Sequence, residues 1–243
     1  MAISFSNSTD IINFDYVNSL SSFTLTFNIS RTTNSAVRTL FRFKNELEED
    51  IIILRYLTSN NTFELNVKGN VINGVWRFGI LPSNTNSCLS LTFDGGATTP
   101  VPVAYQDGVL LSITTLANVI SRISDGNVIE YGSSSADSSV FAGNIAEIGV
   151  YSNSFSSDVI KSLSIGYSPI NFQNNLISYL PLIRDVYDLK GNSLTVSGGT
   201  VANHPRVIYP RGKQLNTIFG ASGGGSQVVQ RRYDILEPRT IMV

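Results

Sequence analysis

The densest run of carboxylates in this 243-residue chain is Glu46-Leu-Glu-Glu-Asp50. In an extended strand Glu46, Glu48 and Asp50 would project from one face. Glycoside hydrolysis needs two carboxylates about 5 to 9.5 Å apart, one of them kept protonated by its surroundings. The flanks read differently: Phe41-Arg-Phe-Lys-Asn45 and Ile51-Ile-Ile-Leu54 are two strands, which makes the acidic run their solvated loop. His204 is the only histidine, so any Ser-His-Asp or Cys-His arrangement must run through it. It stands in His204-Pro205 without a nucleophile elbow, where a hydrogen bond to a strand end suits it better. One histidine and one cysteine, Cys88, cannot build a zinc site, and a single cysteine forbids an internal disulfide. Gly223-Gly-Gly225 lacks the Lys-Ser/Thr that cradles a phosphate. No catalytic residue and no cofactor is therefore assigned. Trp76 could stack on a pyranose, but it lies in an alternating strand whose period assigns it to the core. Tyr56, Tyr105, Tyr131, Tyr151 and Tyr167 are too dispersed to define a groove.

The elements that must position these residues are strands. With 42% hydrophobic residues the chain can bury a core, while only 14% are charged and the net charge is -1. This balance offers no general attraction to nucleic acid or an anionic membrane. Period-two alternation marks strands at Phe23–Ile29, Val37–Phe43, Ile51–Leu57, Thr62–Lys68, Val75–Ile80, Ser87–Phe93 and Ile145–Tyr151. Ser59-Asn-Asn61, Asn73-Gly74, Asp94-Gly-Gly96, Asp107-Gly108 and Asp125-Gly-Asn127 separate them as turns. One helix is expected at Ser156–Leu163, capped by Ser156 or Ser157 and stopped by Gly166. The β pattern resumes at Leu176–Leu182, Ser193–Ser197 and Arg206–Tyr209. Short strands at regular spacing predict an all-β antiparallel sandwich over residues 1–210. Residues 211–243 read as a basic, Gly-rich arm hinged at Gly220–Ser226. From His204 onward six basic residues face two acidic ones, and Arg231, Arg232, Tyr233, Ile235, Leu236 and Arg239 would dock this arm on a partner. No run approaches 18 apolar residues, and the first residues carry no signal-peptide pattern. The Asn7, Asn28 and Asn60 sequons are read as accidents of composition.

Three segments are similar to the laminin G-like family of concanavalin A-type jelly rolls. The first is Trp76, then Cys88–Gly96, then the hairpin Val103–Leu111 around Tyr105-Gln-Asp-Gly108. The second and most specific is Gly143-Asn-Ile-Ala-Glu-Ile-Gly-Val-Tyr151 with the short helix after it. The third, Leu180–Val196 and His204–Pro210, resembles the end of laminin G-like domains in tailed-bacteriophage virion proteins. The resemblance implies a concanavalin A-like jelly roll from about residue 3 to 210. Family members often hold calcium with loop Asp residues, which nominates Asp94, Asp107, Asp125, Asp137, Asp185 and Asp188 without choosing among them. The Glu46–Asp50 run departs in order and spacing from the carboxylate strand of the superfamily's glucanases.

The function expected on this basis is structural and non-enzymatic: a virion protein, decorating a capsid or fibre, with its arm on a neighbouring subunit. Its partners would be other virion proteins such as the major capsid protein, and further copies of itself in a homo-oligomer. The alternative is a carbohydrate-binding adhesin that recognises host glycans, with a glycan hydrolase as the least favoured reading. The fold by itself does not choose among them.

Overall fold

In the computed structural model the described residues are 2–6, 10–31, 38–80, 85–132, 141–182, 185–203 and 207–208. Side chains alternate between core and outer face along most strands, and this drives two antiparallel sheets together face to face as a jelly-roll sandwich. The first sheet contains β1 (Ala2–Phe5), β3 (Phe23–Arg31), β9 (Asn86–Phe93), β10 (Val103–Gln106), β11 (Val109–Leu110), β15 (Gly143–Tyr151), β16 (Leu176–Leu180) and β18 (Thr200–Ala202). Its order is β11-β10-β9-β3-β15-β1-β18, with β16 also paired to β15. The second contains β2 (Ile11–Ser19), β4 (Arg38–Lys44), β5 (Asp50–Leu57), β6 (Thr62–Val67), β8 (Gly74–Phe78), β12 (Ile113–Ala117), β14 (Asp125–Tyr131) and β17 (Thr195–Ser197). Here the order is β12-β8-β6-β5-β4-β14-β2-β17. A two-stranded ribbon of β7 (Gly69–Ile72) and β13 (Ile120–Arg122) stands apart.

Aromatic side chains fill the space between the sheets. Trp76 from β8 meets Phe93 from β9 across the core at 5.4 Å between ring centres, and Phe93 stacks on Phe23 at 5.3 Å. Trp76 is wholly buried, so it is a packing residue, not a sugar platform. Gly74 is small for this reason: a Cβ there would lie 2.2 Å from the Trp76 ring. At the far edge β17 pairs with β2 of one sheet and β18 with β1 of the other, so two adjacent strands tie both sheets together. Gly198 and Gly199 join them with φ of +66° and +80°, left-handed backbone that glycine adopts without strain as the chain passes from one sheet to the other.

The helix α1 (Ser157–Ser164) forms where expected. Ser156 is its N-cap residue, although its side chain makes no cap hydrogen bond; Gly166 follows with φ of +97°. Ile160 and Leu163 bury the apolar stripe of α1 against β9 and β10. Among the described residues no helix is long and apolar enough to cross a membrane.

Two expectations need correction. Asp125-Gly-Asn127 is not a turn but the first part of β14, and Gly126 fits there because a Cβ would sit 2.6 Å from the Lys44 carbonyl oxygen. The seven strands read before residue 152 were too few. β10 and β11 pair as the hairpin that the resemblance placed at Val103–Leu111, while β1, β2, β7 and β12 to β14 were not read, most having exposed or polar positions that blur the alternation.

Candidate functional site

Glu46–Glu49 lie in the loop between β4 and β5, and Asp50 opens β5, paired with Lys44. Asn45 organises the loop: its side-chain oxygen accepts from Leu47 N at 3.0 Å and Glu49 N at 2.9 Å, and Glu48 takes a φ of +61°. The carboxylates do not converge as a catalytic pair. Glu46 is exposed, Glu48 pairs with Lys44, Glu49 with Lys68 at 2.8 Å, and Asp50 with Arg42.

The loop aspartates are likewise occupied with their own turns. Asp94 Oδ1 accepts from Ser22 Oγ and Gly96 N. Asp107 accepts from Cys88 N at 2.7 Å and Ser87 Oγ at 3.0 Å. Asp188 accepts from Tyr179 N, Lys190 N and Asn192 Nδ2. Asp125 accepts from its neighbour Ser124 Oγ, and Asp185 is exposed. Among the described residues no three His, Cys, Asp or Glu side chains gather as a metal site. His204, Asp137 and the arm residues Arg231, Arg232, Tyr233, Ile235, Leu236 and Arg239 lie outside the described residues.

What the sequence reading did not single out is a charged band on the second sheet. Phe41, Phe43, Tyr56, Phe63, Leu65, Trp76, Phe78, Ile129 and Tyr131 face the core, so the residues between them face outward. Register then lines up Glu130, Arg42, Ile53, Asn66 and Val75 across five strands. Two residues along, Thr39, Arg55, Glu64, Arg77 and Thr114 form a second row.

The band has two ends of different character. Toward β14, Lys44 Nζ lies 2.5 Å from Glu130 Oε1 and also meets Glu48. Arg42 clasps Asp50 through Nε at 2.5 Å and Nη2 at 2.8 Å, with Glu130 Oε2 3.8 Å from its Nη1. Arg42, Lys44 and Glu130 are almost fully buried. Burial alone would lower the Lys44 pKa, but hydrogen bonds and Coulomb attraction from Glu130 and Glu48 outweigh it and hold the ammonium above its usual range. Two cations face three carboxylates at this end. Toward β12, Glu64 is 3% exposed and receives Arg55 through Nε at 2.9 Å and Nη2 at 2.6 Å, and Arg77 through Nε at 2.8 Å. Arg55 and Arg77 are each 33% exposed, so here two cations flank a single carboxylate at the surface. The sequence signal was present: Arg42, Arg55, Glu64, Arg77 and Glu130 each sit between two large apolar residues, as in Phe41-Arg42-Phe43 and Trp76-Arg77-Phe78.

A second polar region lies under α1 on the outer face of the first sheet. Thr26, Asn28, Cys88, Glu147, Gly166 and Tyr167 line a cleft large enough for a water-sized occupant only. Glu147 sits in a bulge of β15 with φ of +51°, where the strand's free edge changes partner from β1 to β16. Its carboxylate accepts from the Tyr179 hydroxyl at 2.6 Å. Burial first, then Asp107 and Glu147, push the Cys88 thiol up to about 12. This cleft is too small for a sugar, and its surroundings disfavour the thiolate form of Cys88.

No family model and no curated protein matches the chain. Solved structures do. A candidate carbohydrate-binding protein of Bacteroides ovatus aligns with a TM-score of 0.58 at 17% identity, covering 83% of this chain and 61% of that one. The heptameric SAP-like pentraxin of Limulus polyphemus aligns with a TM-score of 0.58 at 14% identity over 81% of this chain and 94% of its own. The extracellular region of zebrafish Gpr126/Adgrg6 aligns with a TM-score of 0.57 at 16% identity over 83% of this chain and 26% of its own. This chain therefore spans less than two thirds of the Bacteroides protein it resembles. At these identities the likeness establishes the fold, a lectin-like jelly roll.

Proposed function

We propose that this chain is a non-catalytic glycan-recognition domain whose binding surface is the outer face of β5, β6, β8 and β12. One observation carries the reading: Arg55, Glu64 and Arg77 form a row of polar groups fixed in place at a partly exposed surface, with the exposed Thr114 beside it and Asn66 two residues along β6. Sugars are recognised by planar polar side chains held in a set geometry, because hydroxyls need directed donors and acceptors. The two arginines meet that need without further ordering. Hydrolysis is disfavoured by the same band. Its carboxylates each face a cation, whereas a glycosidase keeps its acid in apolar surroundings away from positive charge.

The fold suits this reading, since the Bacteroides ovatus protein named for carbohydrate binding shares it, but the site carries the argument. Placement on a virion rests on the resemblance of Leu180–Val196 and His204–Pro210 together with the basic charge of the arm, and gains no support from the structural neighbours. A particle or cell surface that displays this domain would be compatible with glycan recognition. The test is a glycan array probed with the full chain, followed by turnover assays on whatever binds. Saturable binding without hydrolysis is expected. A folded protein that binds no glycan, or that cleaves the glycans it binds, would refute the proposal.

A further inference from the structure

We infer that the glycan carries a carboxylate, received by the terminal nitrogens of Arg77 together with Arg55. The inference rests on the glycan-recognition reading above and narrows it to acidic sugars.

Charge is distributed unevenly along the band. At the β14 end Arg42 and Lys44 meet Glu48, Asp50 and Glu130, leaving that end one negative charge in excess. At the β12 end Arg55 and Arg77 share only Glu64, leaving one positive charge in excess. The positive end is also the more open, with both arginines one-third exposed while Arg42 and Lys44 are about 4% and 3% exposed. An anion approaching the band meets its cationic end first.

The geometry favours a planar anion. Arg55 and Arg77 lie on the strands either side of β6, about 9.5 Å apart across the sheet at normal strand spacing, and both lean over β6 to Glu64. Each guanidinium has five N–H donors. Glu64 takes one from Arg77 and those of Nε and Nη2 from Arg55. Arg55 Nη1 and both terminal nitrogens of Arg77 make no hydrogen bond to the described residues. The Arg77 terminal edge is thus a free fork of the kind that receives a carboxylate bidentately. Glu64 is nearly buried and orients both arginines before any ligand arrives. Thr114 and Asn66 then flank the fork at positions where ring hydroxyls would fall.

The experiment measures binding of the full chain to oligosaccharides ending in a hexuronic or nonulosonic acid, each beside its carboxyl-reduced counterpart. The acid should bind at least about tenfold tighter than the reduced sugar, and the difference should shrink as salt is raised. Arg77→Gln should abolish the preference, and Arg77→Lys should not restore it, because an ammonium lacks the fork. If Arg77→Gln does not fold, the acid-against-reduced comparison on the unaltered chain decides alone. Equal affinity for acid and reduced forms would overturn the carboxylate assignment and leave glycan recognition standing. Tighter binding of a sulfated sugar than of any carboxylated one would also overturn it. Binding of no oligosaccharide would overturn both.

Discussion

Lys44 and Arg42 are buried charges whose stability depends on Glu130, Glu48 and Asp50. Removing one member of a buried ion pair leaves the other desolvated and uncompensated, which costs about 3–5 kcal/mol. Glu130→Gln is therefore expected to lower unfolding free energy by about that amount in urea titration, whereas Glu46→Gln in the exposed loop should leave it unchanged. The folded-state pKa of Lys44 is raised. Its contribution to stability is thus fully present below the unfolded-state value of about 10.4 and is lost as pH climbs through the higher folded value. Unfolding midpoints measured from pH 9 to 12 should fall at the alkaline end, and less steeply in Lys44→Met. Cys88, with its thiol at about 12, should resist alkylation at pH 8 in the folded protein and react once urea exposes it. Rapid modification of the native thiol would contradict the packing of α1 over β9. At this scale the sequence made outward direction legible, since a charge between two aromatics in a strand must point away from the core. Pairing was not legible, because the partner of Arg77 is Glu64 on another strand and register sets that contact.

Strands with large apolar residues on alternate positions, such as β3, β5, β6 and β9, could be read directly. β12 could not, because this edge strand lacks a buried face and its exposed positions break the pattern. Gly126 shows how a turn signal misleads: Asp-Gly-Asn is a hairpin sequence by local preference, yet the close approach of β4 demands a residue without Cβ inside β14. Gly126→Ala should cost roughly 1–3 kcal/mol, because the Lys44 carbonyl cannot move aside without shifting the sheet. On the first sheet, Thr26 Oγ1 and Ser90 Oγ share a buried hydrogen bond at 2.7 Å, as Thr24 and Thr92 do at 2.8 Å. Thr26→Val leaves the Ser90 hydroxyl unsatisfied and should cost about 1–3 kcal/mol. Adding Ser90→Ala should recover part of that loss, a coupling that a double-mutant cycle in denaturant would detect.

Across the whole molecule, composition and period were sufficient for an antiparallel sandwich, because two packed sheets bury that many alternating strands, whereas the jelly-roll topology was implied by the resemblance and not by the period. The structural role of Gly143–Tyr151 follows from the fold: Glu147 anchors the strand at the seam where β1 gives way to β16. Function was less legible, since the residues proposed to bind are scattered over β5, β6, β8 and β12 and become a surface only when the sheet assembles. The most direct test of the account is an NMR titration of the full chain with an acidic oligosaccharide selected by the array. The account predicts the largest shifts at the Nε–H of Arg77 and Arg55, the Asn66 side-chain amide and the Thr114 backbone. Shifts centred on the Asp94 and Asp107 turns, with those arginine signals unmoved, would place the ligand elsewhere and contradict it.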